Sequence, residues 1–454
     1  MSWEAIIITL TSDIGSKGDN YFPKAFAFVM PKFMITAVVA VVIFVLVKKY
    51  VSKKKEGKRR FIKWGFLAGA VIFLIGDLLF FKLLFFPGKN EIATEPEVAA
   101  FMNAYYMDPQ SVSINASGKT KNIIWLYIEG MECSYADRAD GGYQEGVNYI
   151  PELTRLANEN ISFSQDDGFG GLYAVRGGDF TLAGIFDSRT GYSYSYALKR
   201  EGHDKSNYHQ ELVTLDDILA GNGYEVEFMF GSDAEFVGKK EFLEYHGCKV
   251  FDYNTMIEQR FIPEDYYVWW GVEDAKLYEC AKAECLRLAA SGKPFSFSLL
   301  TADTHSEGGY VCDQCGDEYS EQMGNVIACT DRQAAEFVSW IGEQDFAADT
   351  VIMIMGDHLS MDAGLLENVG NEERFVYNCL INADTPENYR EKNRIATHYD
   401  IFPTVLSAMG FEIEDDRLGV GTNLFSDKET LGESLGMDVL NKYLKMPTSR
   451  GTGN

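Results

Sequence analysis

Three separated stretches of this 454-residue chain place acidic or imidazole side chains just beyond apolar runs that read as strands. Val351-Ile352-Met353-Ile354-Met355 runs into Gly356-Asp357-His358, Ile123–Ile128 runs into Glu129, and Phe295–Leu300 runs towards Asp303-Thr304-His305. The unbroken apolar run Val351–Met355 suits a buried parallel strand, and ligands of open α/β sheets gather beyond the carboxyl ends of such strands. Glu129, Asp357 and His358 make an oxygen, oxygen and nitrogen donor set suited to Mn²⁺, Mg²⁺ or Zn²⁺. An isolated Asp-His pair reads as a strand-end turn with a surface histidine; three strand ends of this kind argue for a site.

A fourth group comes from Gly177-Gly178-Asp179-Phe180-Thr181-Leu182-Ala183-Gly184, a glycine-rich turn entering an apolar segment. Thr181 falls at the expected helix start, where phosphate oxygens are also welcome. Beside a divalent cation its hydroxyl is an activated nucleophile; taken alone it is an ordinary helix cap.

The elements that must position these groups alternate. Strands are expected at Ile123–Ile128, Tyr224–Phe230, Pro294–Leu300 and Thr350–Met355. Helices are expected from Pro151, over Asp274–Ala290 and Arg332–Gly342, and from Asp400 to near Gly410. Such alternation implies an α/β fold with a mainly parallel sheet covered by helices. The catalytic domain is expected over 119–430, with a linker at 88–118 and a modestly ordered tail at 431–454.

Upstream, the apolar stretches 26–47 and 64–87 are each long enough to cross a hydrocarbon core of about 30 Å, the first interrupted by Pro31 and Lys32. Residues 48–63 between them are densely basic, and short cationic loops stay cytoplasmic. Segment 1–25 and everything after about 88 then lie outside. Asp77 and Lys82 within the second span need partners in lipid. The first fifteen residues lack the basic start and continuous apolar core of a cleavable signal.

Charge agrees with that division. Residues 1–98 hold fourteen Lys/Arg against eight Asp/Glu, a net of +6, so the rest of a chain totalling −26 carries −32. An acidic outer domain repels nucleic acid and does not cling to anionic lipid, so an anionic substrate needs a local positive centre. All eight cysteines lie in the external part. Cys312-Asp313-Gln314-Cys315 with Cys329 suits either a zinc knuckle or a disulfide-closed loop, and without a matching second pair the closed loop is expected. Cys133, Cys248, Cys280, Cys285 and Cys379 read as small buried residues.

The order Glu129, Phe180-Thr181-Leu182-Ala183-Gly184, Thr301-Ala302-Asp303-Thr304-His305 and Gly356-Asp357-His358-Leu359-Ser360-Met361 resembles the membrane phosphoglycerol transferases of the alkaline phosphatase/sulfatase superfamily. Enzymes that decorate periplasmic glucans are the nearer likeness and lipoteichoic acid synthases the more distant one; it covers roughly residues 88–430. The resemblance implies that Glu129, Thr181, Asp357 and His358 bind one divalent cation, Mn²⁺ foremost, with Mg²⁺ or Zn²⁺ as alternatives. It implies that Thr181 attacks a phosphatidylglycerol-like lipid, forming a phosphoglycerol-threonine intermediate that a glycan or polymer acceptor then resolves. His305 resembles the histidine that contacts the substrate phosphate or leaving oxygen. Lys239, in Phe236-Val237-Gly238-Lys239-Lys240, matches a basic phosphate contact, although relatives often use Arg; a solvated lysine pair is the other reading.

Departures bear on specificity. Ile185-Phe186-Asp187-Ser188-Arg189-Thr190 replaces a stretch that contains Gln-Cys-Gly in glucan-modifying relatives, which puts the acceptor in doubt. His398-Tyr399-Asp400 resembles a position used by two-metal members, but no complete second acidic set accompanies it, so His398 is read as supporting, as is Asp303. No Cys or Ser followed by x-Pro-x-Arg occurs around Thr181, which argues against sulfate ester cleavage. The resemblance places the protein in a bacterial cell membrane, multi-pass, with an extracytoplasmic catalytic domain and room for further spans upstream. Alternatives are a phosphoethanolamine transferase or phosphodiesterase of the same superfamily, or a catalytically silent envelope-binding protein.

Overall fold

The computed structural model describes residues 93, 95–116, 118–175, 180–194, 210–362, 364–370 and 372–444. The expected membrane helices 26–47 and 64–87, the loop between them, segment 1–25 and the Gly177-Gly178-Asp179 turn lie outside the described residues. Among the described residues no helix is long and apolar enough to cross a membrane.

Six strands build the central sheet: β1 (Asn122–Ile128), β2 (Glu225–Phe230), β3 (Lys249–Phe251), β4 (Phe295–Leu300), β5 (Thr350–Gly356) and β6 (Asn378–Ile381). Their order is β3-β2-β4-β1-β5-β6, parallel throughout except for the antiparallel edge strand β6. The main helices are α1 (Glu95–Tyr105), α2 (Pro151–Glu159), α3 (Thr181–Thr190), α4 (Leu215–Gly221), α5 (Lys239–Tyr245), α6 (Asp274–Ala290), α7 (Gln322–Gly342), α8 (His398–Ala408), α9 (Leu431–Leu435) and α10 (Met437–Leu444).

Both faces of the sheet are covered, which is why Ile123–Ile128 of β1 and Val351–Met355 of β5 are apolar without a break, while buried Ser296 and Ser298 interrupt β4. Ile123, Trp125 and Tyr127 of β1 enter one core with Leu182 and Phe186 of α3 and Ile401 and Phe402 of α8. Ile124, Leu126 and Ile128 enter the other, with Leu153 of α2, Leu277 of α6 and Val326 of α7. The period-two alternation of strand side chains is thus intact, with apolar residues on both sides.

Several expected boundaries shift. Helix α7 begins ten residues before Arg332, through Gly324, Asn325 and Thr330, which are modest helix formers. Tertiary packing decides it: Met323, Val326 and Ile327 are buried, and the Asp331 carboxylate accepts from the Glu152 and Leu153 amides at the start of α2 at 3.1 and 2.7 Å. Helix α8 starts at His398, because Thr397 and Asp400 form a capping box. The described parts of the expected linker and tail also join the domain. Val98, Phe101 and Met102 of α1 and Leu440 and Leu444 of α10 enter one core, and Ile114–Ala116 pairs antiparallel with Phe411–Ile413.

Candidate active site

Parallel register gathers the site. Tyr127 of β1 pairs with Leu300 of β4, and Ile128 with Gly356 of β5, so the three chains leave the sheet side by side. Glu129, Thr301 and Asp357 are therefore neighbours in space although far apart in sequence. The Thr301 hydroxyl accepts from the Glu129 amide at 3.1 Å, and the Thr304 hydroxyl donates to the Glu129 carbonyl at 2.6 Å.

Glu129, Asp357 and His358 are all buried, and one donor atom from each lies within 4.8 Å of the other two. His358 Nε2 stands 3.2 Å from Glu129 Oε1 and 3.5 Å from Asp357 Oδ2. Asp357 Oδ1 is occupied by the Gly130 and His358 amides at 2.8 and 2.9 Å, which leaves Oδ2 without a hydrogen-bond partner. His358 Nδ1 faces the Leu359 carbonyl at 2.8 Å, which assigns the proton to Nδ1 and frees Nε2 as a donor atom towards a cation. Burial, then the neighbouring Glu129 carboxylate, pushes Asp357 up to about 7. Burial pulls the His358 imidazole down, but the Asp357 and Glu129 carboxylates outweigh it and hold it at about 10. Two crowded carboxylates facing imidazole Nε2 fit a divalent cation, which would take the place of the Nε2 proton that they otherwise favour.

Thr181 is not the cap of its helix. Phe180 holds that position, and the Thr181 hydroxyl donates to Glu129 Oε2 at 3.0 Å. Gly184, one turn along α3, allows this approach: a Cβ there would overlap the Asp357 carbonyl oxygen. Helix α3 is thus seated directly on the end of β5.

The other predicted residues separate into two groups. His305, half-buried on the loop after β4, faces the Ser306 carbonyl with Nδ1 at 2.7 Å, its ring 5.0 Å from that of Trp270. The Glu129 carboxyl is held low, against the opposing effect of burial, first by His358 and then by His305. Lys239, the first residue of α5, is 5% exposed, so it is not a solvated lysine. Its ammonium lies over the Phe230 and Phe236 rings at 5.4 and 5.3 Å; burial lowers it to about 8, opposed by Asp233, Glu129 and Asp252. His398 and Asp303 fall outside the donor trio. The His398 ring lies near the backbone of Gly356 and Asp357, and burial pulls it down to about 4. Asp303 is pushed up to about 9 by burial and Asp274, and its carbonyl accepts from Tyr310 at 2.7 Å, bracing the loop.

A supporting pair had no sequence signal. Buried Glu132 accepts from Arg374 Nε at 2.8 Å and from the Ser360 amide at 2.9 Å, while Arg374 Nη2 donates to the Ser360 carbonyl at 2.8 Å. This clamp fixes the loop that follows Asp357 and His358. Its partners are more than two hundred residues apart, so spacing alone cannot reveal it.

The sulfatase family model matches residues 121–411, well over half of the chain. The chain belongs to the sulfatase family. It is 30% identical over 264 residues to phosphoglycerol transferase I of Xanthomonas axonopodis pv. citri (strain 306), covering 56% of this chain and 36% of that protein. It is 27% identical over 344 residues to phosphoglycerol transferase I of Salmonella choleraesuis (strain SC-B67), covering 74% and 42%. The chain thus spans about two-fifths of the length of these relatives. Among solved structures, a protein of the alkaline phosphatase superfamily from Vibrio parahaemolyticus gives a TM-score of 0.56 at 21% identity, covering 75% of this chain and 81% of that one. A lipoteichoic acid synthase from Listeria monocytogenes gives 0.52 at 18%, covering 77% and 82%. These two likenesses show an alkaline-phosphatase-like fold.

In this sulfatase-family chain the stretch Ile185–Thr190 is wholly buried and cannot touch an acceptor. Arg189 there pairs with Asp216 of α4, with Nε to Oδ2 at 2.9 Å, and donates to Ser298 of β4 at 3.0 Å. The five cysteines read as buried residues are buried, and all eight are free thiols. The expected disulfide among Cys312, Cys315 and Cys329 is not formed: Cys312 Sγ is 3.7 Å from each of the other two.

Proposed function

We propose that this domain transfers phosphoglycerol from a phosphatidylglycerol-like lipid to a glycan or polymer hydroxyl through a phospho-threonine intermediate on Thr181. The observation that carries this reading is the 3.0 Å hydrogen bond from Thr181 Oγ1 to Glu129 Oε2, inside a site where Asp357 and His358 also converge. The relatives named phosphoglycerol transferase I support the same chemistry.

Glu129, Asp357 and His358, with Thr181, would hold one divalent cation, for which we favour Mn²⁺. Bound there, it supplies positive charge that acidifies the Thr181 hydroxyl and neutralises phosphoryl oxygens. Glu129 Oε2 holds the hydroxyl proton on one side, which turns the Oγ1 lone pairs away from the carboxylate. Attack forms the Oγ1–P bond as the hydroxyl proton passes to Glu129 Oε2, and breaks the bond from phosphorus to the diacylglycerol oxygen, which takes a proton from His305 Nε2. In the second half the acceptor hydroxyl gives its proton to His305 and displaces Thr181 Oγ1, which takes its proton back from Glu129. Lys239 adds a point charge on the phosphoryl group from the β2 side. The basic stretch 48–63 between apolar segments supports a multi-pass protein of the bacterial cell membrane with this domain outside.

Headgroup release from phosphatidylglycerol and phosphatidylethanolamine, with wild type and Thr181→Ala, tests the reading. Release of phosphoglycerol by wild type only is expected. Activity confined to phosphatidylethanolamine would contradict the donor, and turnover unchanged in Thr181→Ala would contradict the nucleophile.

A further inference from the structure

Away from the site just described, Cys312 and Cys315 on the loop after β4 meet Cys329 from the third turn of α7. The three sulfurs all lie within 4.8 Å of one another, with Cys312 Sγ at 3.7 Å from both partners. Cys312 and Cys329 are buried and Cys315 is half-buried. A disulfide joins two sulfurs at about 2.05 Å and leaves a third with no role. A tetrahedral cation with metal–sulfur bonds of about 2.3 Å sets its sulfurs about 3.8 Å apart. The observed spacing suits the second arrangement, and three convergent thiols have one partner in common only in that arrangement.

Gln333 supplies an independent observation. It is 6% exposed, its Nε2 lies 3.2 Å from Cys329 Sγ and 3.6 Å from Cys312 Sγ, and its Oε1 is buried with no hydrogen-bond partner. A buried amide carrying an orphaned oxygen and turned on two sulfurs is costly in an apolar thiol cluster. Against thiolates its N–H groups are charge-assisted donors, and a half-turn of the amide would offer an oxygen ligand instead.

We propose that Cys312, Cys315 and Cys329 bind one thiophilic cation, zinc(II), with the Gln333 amide closing the fourth side. Three thiolates are soft donors that select zinc over manganese or magnesium, and binding releases the thiol protons. The centre shares no ligand with Glu129, Asp357 and His358, and it does not depend on Thr181 being a nucleophile. Its task is structural: it ties the loop that carries Thr304 and His305 to α7.

The full chain purified without chelator tests this, using zinc content and the absorption of the cobalt(II)-substituted protein. One zinc per chain is expected in wild type and in Asp357→Asn, which disables the other cation centre. Cobalt should give an intense near-ultraviolet thiolate charge-transfer band. Cys315→Ser, at the half-buried position, should lose the zinc and the band while keeping its circular dichroism spectrum. A disulfide among these cysteines in metal-free wild type would overturn the proposal. So would zinc content and a cobalt spectrum unchanged in both Cys315→Ser and Cys329→Ala.

Discussion

Gly184 of α3 and Asp357 beyond β5 are packed so closely that a single methyl group on Gly184 would overlap the Asp357 carbonyl oxygen. This contact sets how near Thr181 comes to Glu129. Gly184→Ala is therefore expected to destabilise the domain by about 1–3 kcal/mol through overpacking. It should also weaken Mn²⁺ binding, because Thr181 and Asp357 move apart. Chemical denaturation and calorimetric titration check both; wild-type values in both would contradict the contact's role.

Much of this was legible in the sequence for a physical reason. A sheet buried on both faces needs unbroken apolar strands, so Ile123–Ile128 and Val351–Met355 stood out, and their ends pointed to Glu129, Asp357 and His358. What stayed hidden depends on partners far along the chain. Glu132 and Arg374 carry no local signature, and the first ten residues of α7 are helical because of their packing, not their propensity. The buried role of Ile185–Thr190 was equally hidden, since Asp216 and Ser298, the partners of Arg189, lie far along the chain.

Asp187 gives a pH dependence of stability. Burial pushes its carboxyl up to about 8, against the opposing hydrogen bonds from the Tyr194 amide and the Tyr399 hydroxyl. An unfolded aspartate titrates near about 3.9. The folded state therefore keeps a proton that the unfolded state has lost, and this group's contribution, full below about 4, falls as pH rises to about 8. Asp187→Asn removes that slope. The melting temperature of the variant relative to wild type should rise between pH 5 and pH 8, by about 2–4 °C for each kcal/mol. A difference that does not change with pH would contradict the assignment.

Lys239 predicts opposite trends in activity and stability. Burial lowers its ammonium to about 8, so the charge that Lys239 is proposed to offer the phosphoryl group is lost above that pH. Stability moves the other way, rising from about 8 to about 10.4, because only the unfolded state still binds the proton there. Lys239→Ala should lower kcat/KM by about tenfold to a hundredfold, in line with loss of one charged contact of about 1.5–3 kcal/mol. It should also flatten the alkaline limb near pH 8. A pH–rate profile unchanged in the variant would remove Lys239 from the site.

Arg374→Ala leaves the buried Glu132 carboxylate unpaired beside the Ser360 backbone. Breaking a buried pair in this way costs about 3–5 kcal/mol. Arg374→Lys, which cannot make the forked contact, should recover part of this. Thermal denaturation with and without Mn²⁺ checks the pair. Arg374→Ala should lose part of the stabilisation by Mn²⁺ because the loop after His358 is loosened. Melting temperatures equal to wild type under both conditions would show that the clamp is dispensable.

Thr181 is proposed to carry the transferred group, and peptide mass spectrometry of the protein incubated with phosphatidylglycerol and Mn²⁺ reads that out at the residue itself. A phosphoglycerol adduct on Thr181 should accumulate without acceptor, disappear when acceptor is added, and be absent from Thr181→Ala and Asp357→Asn. An adduct on another residue with Thr181 unmodified, or turnover of the lipid by Thr181→Ala, would contradict it.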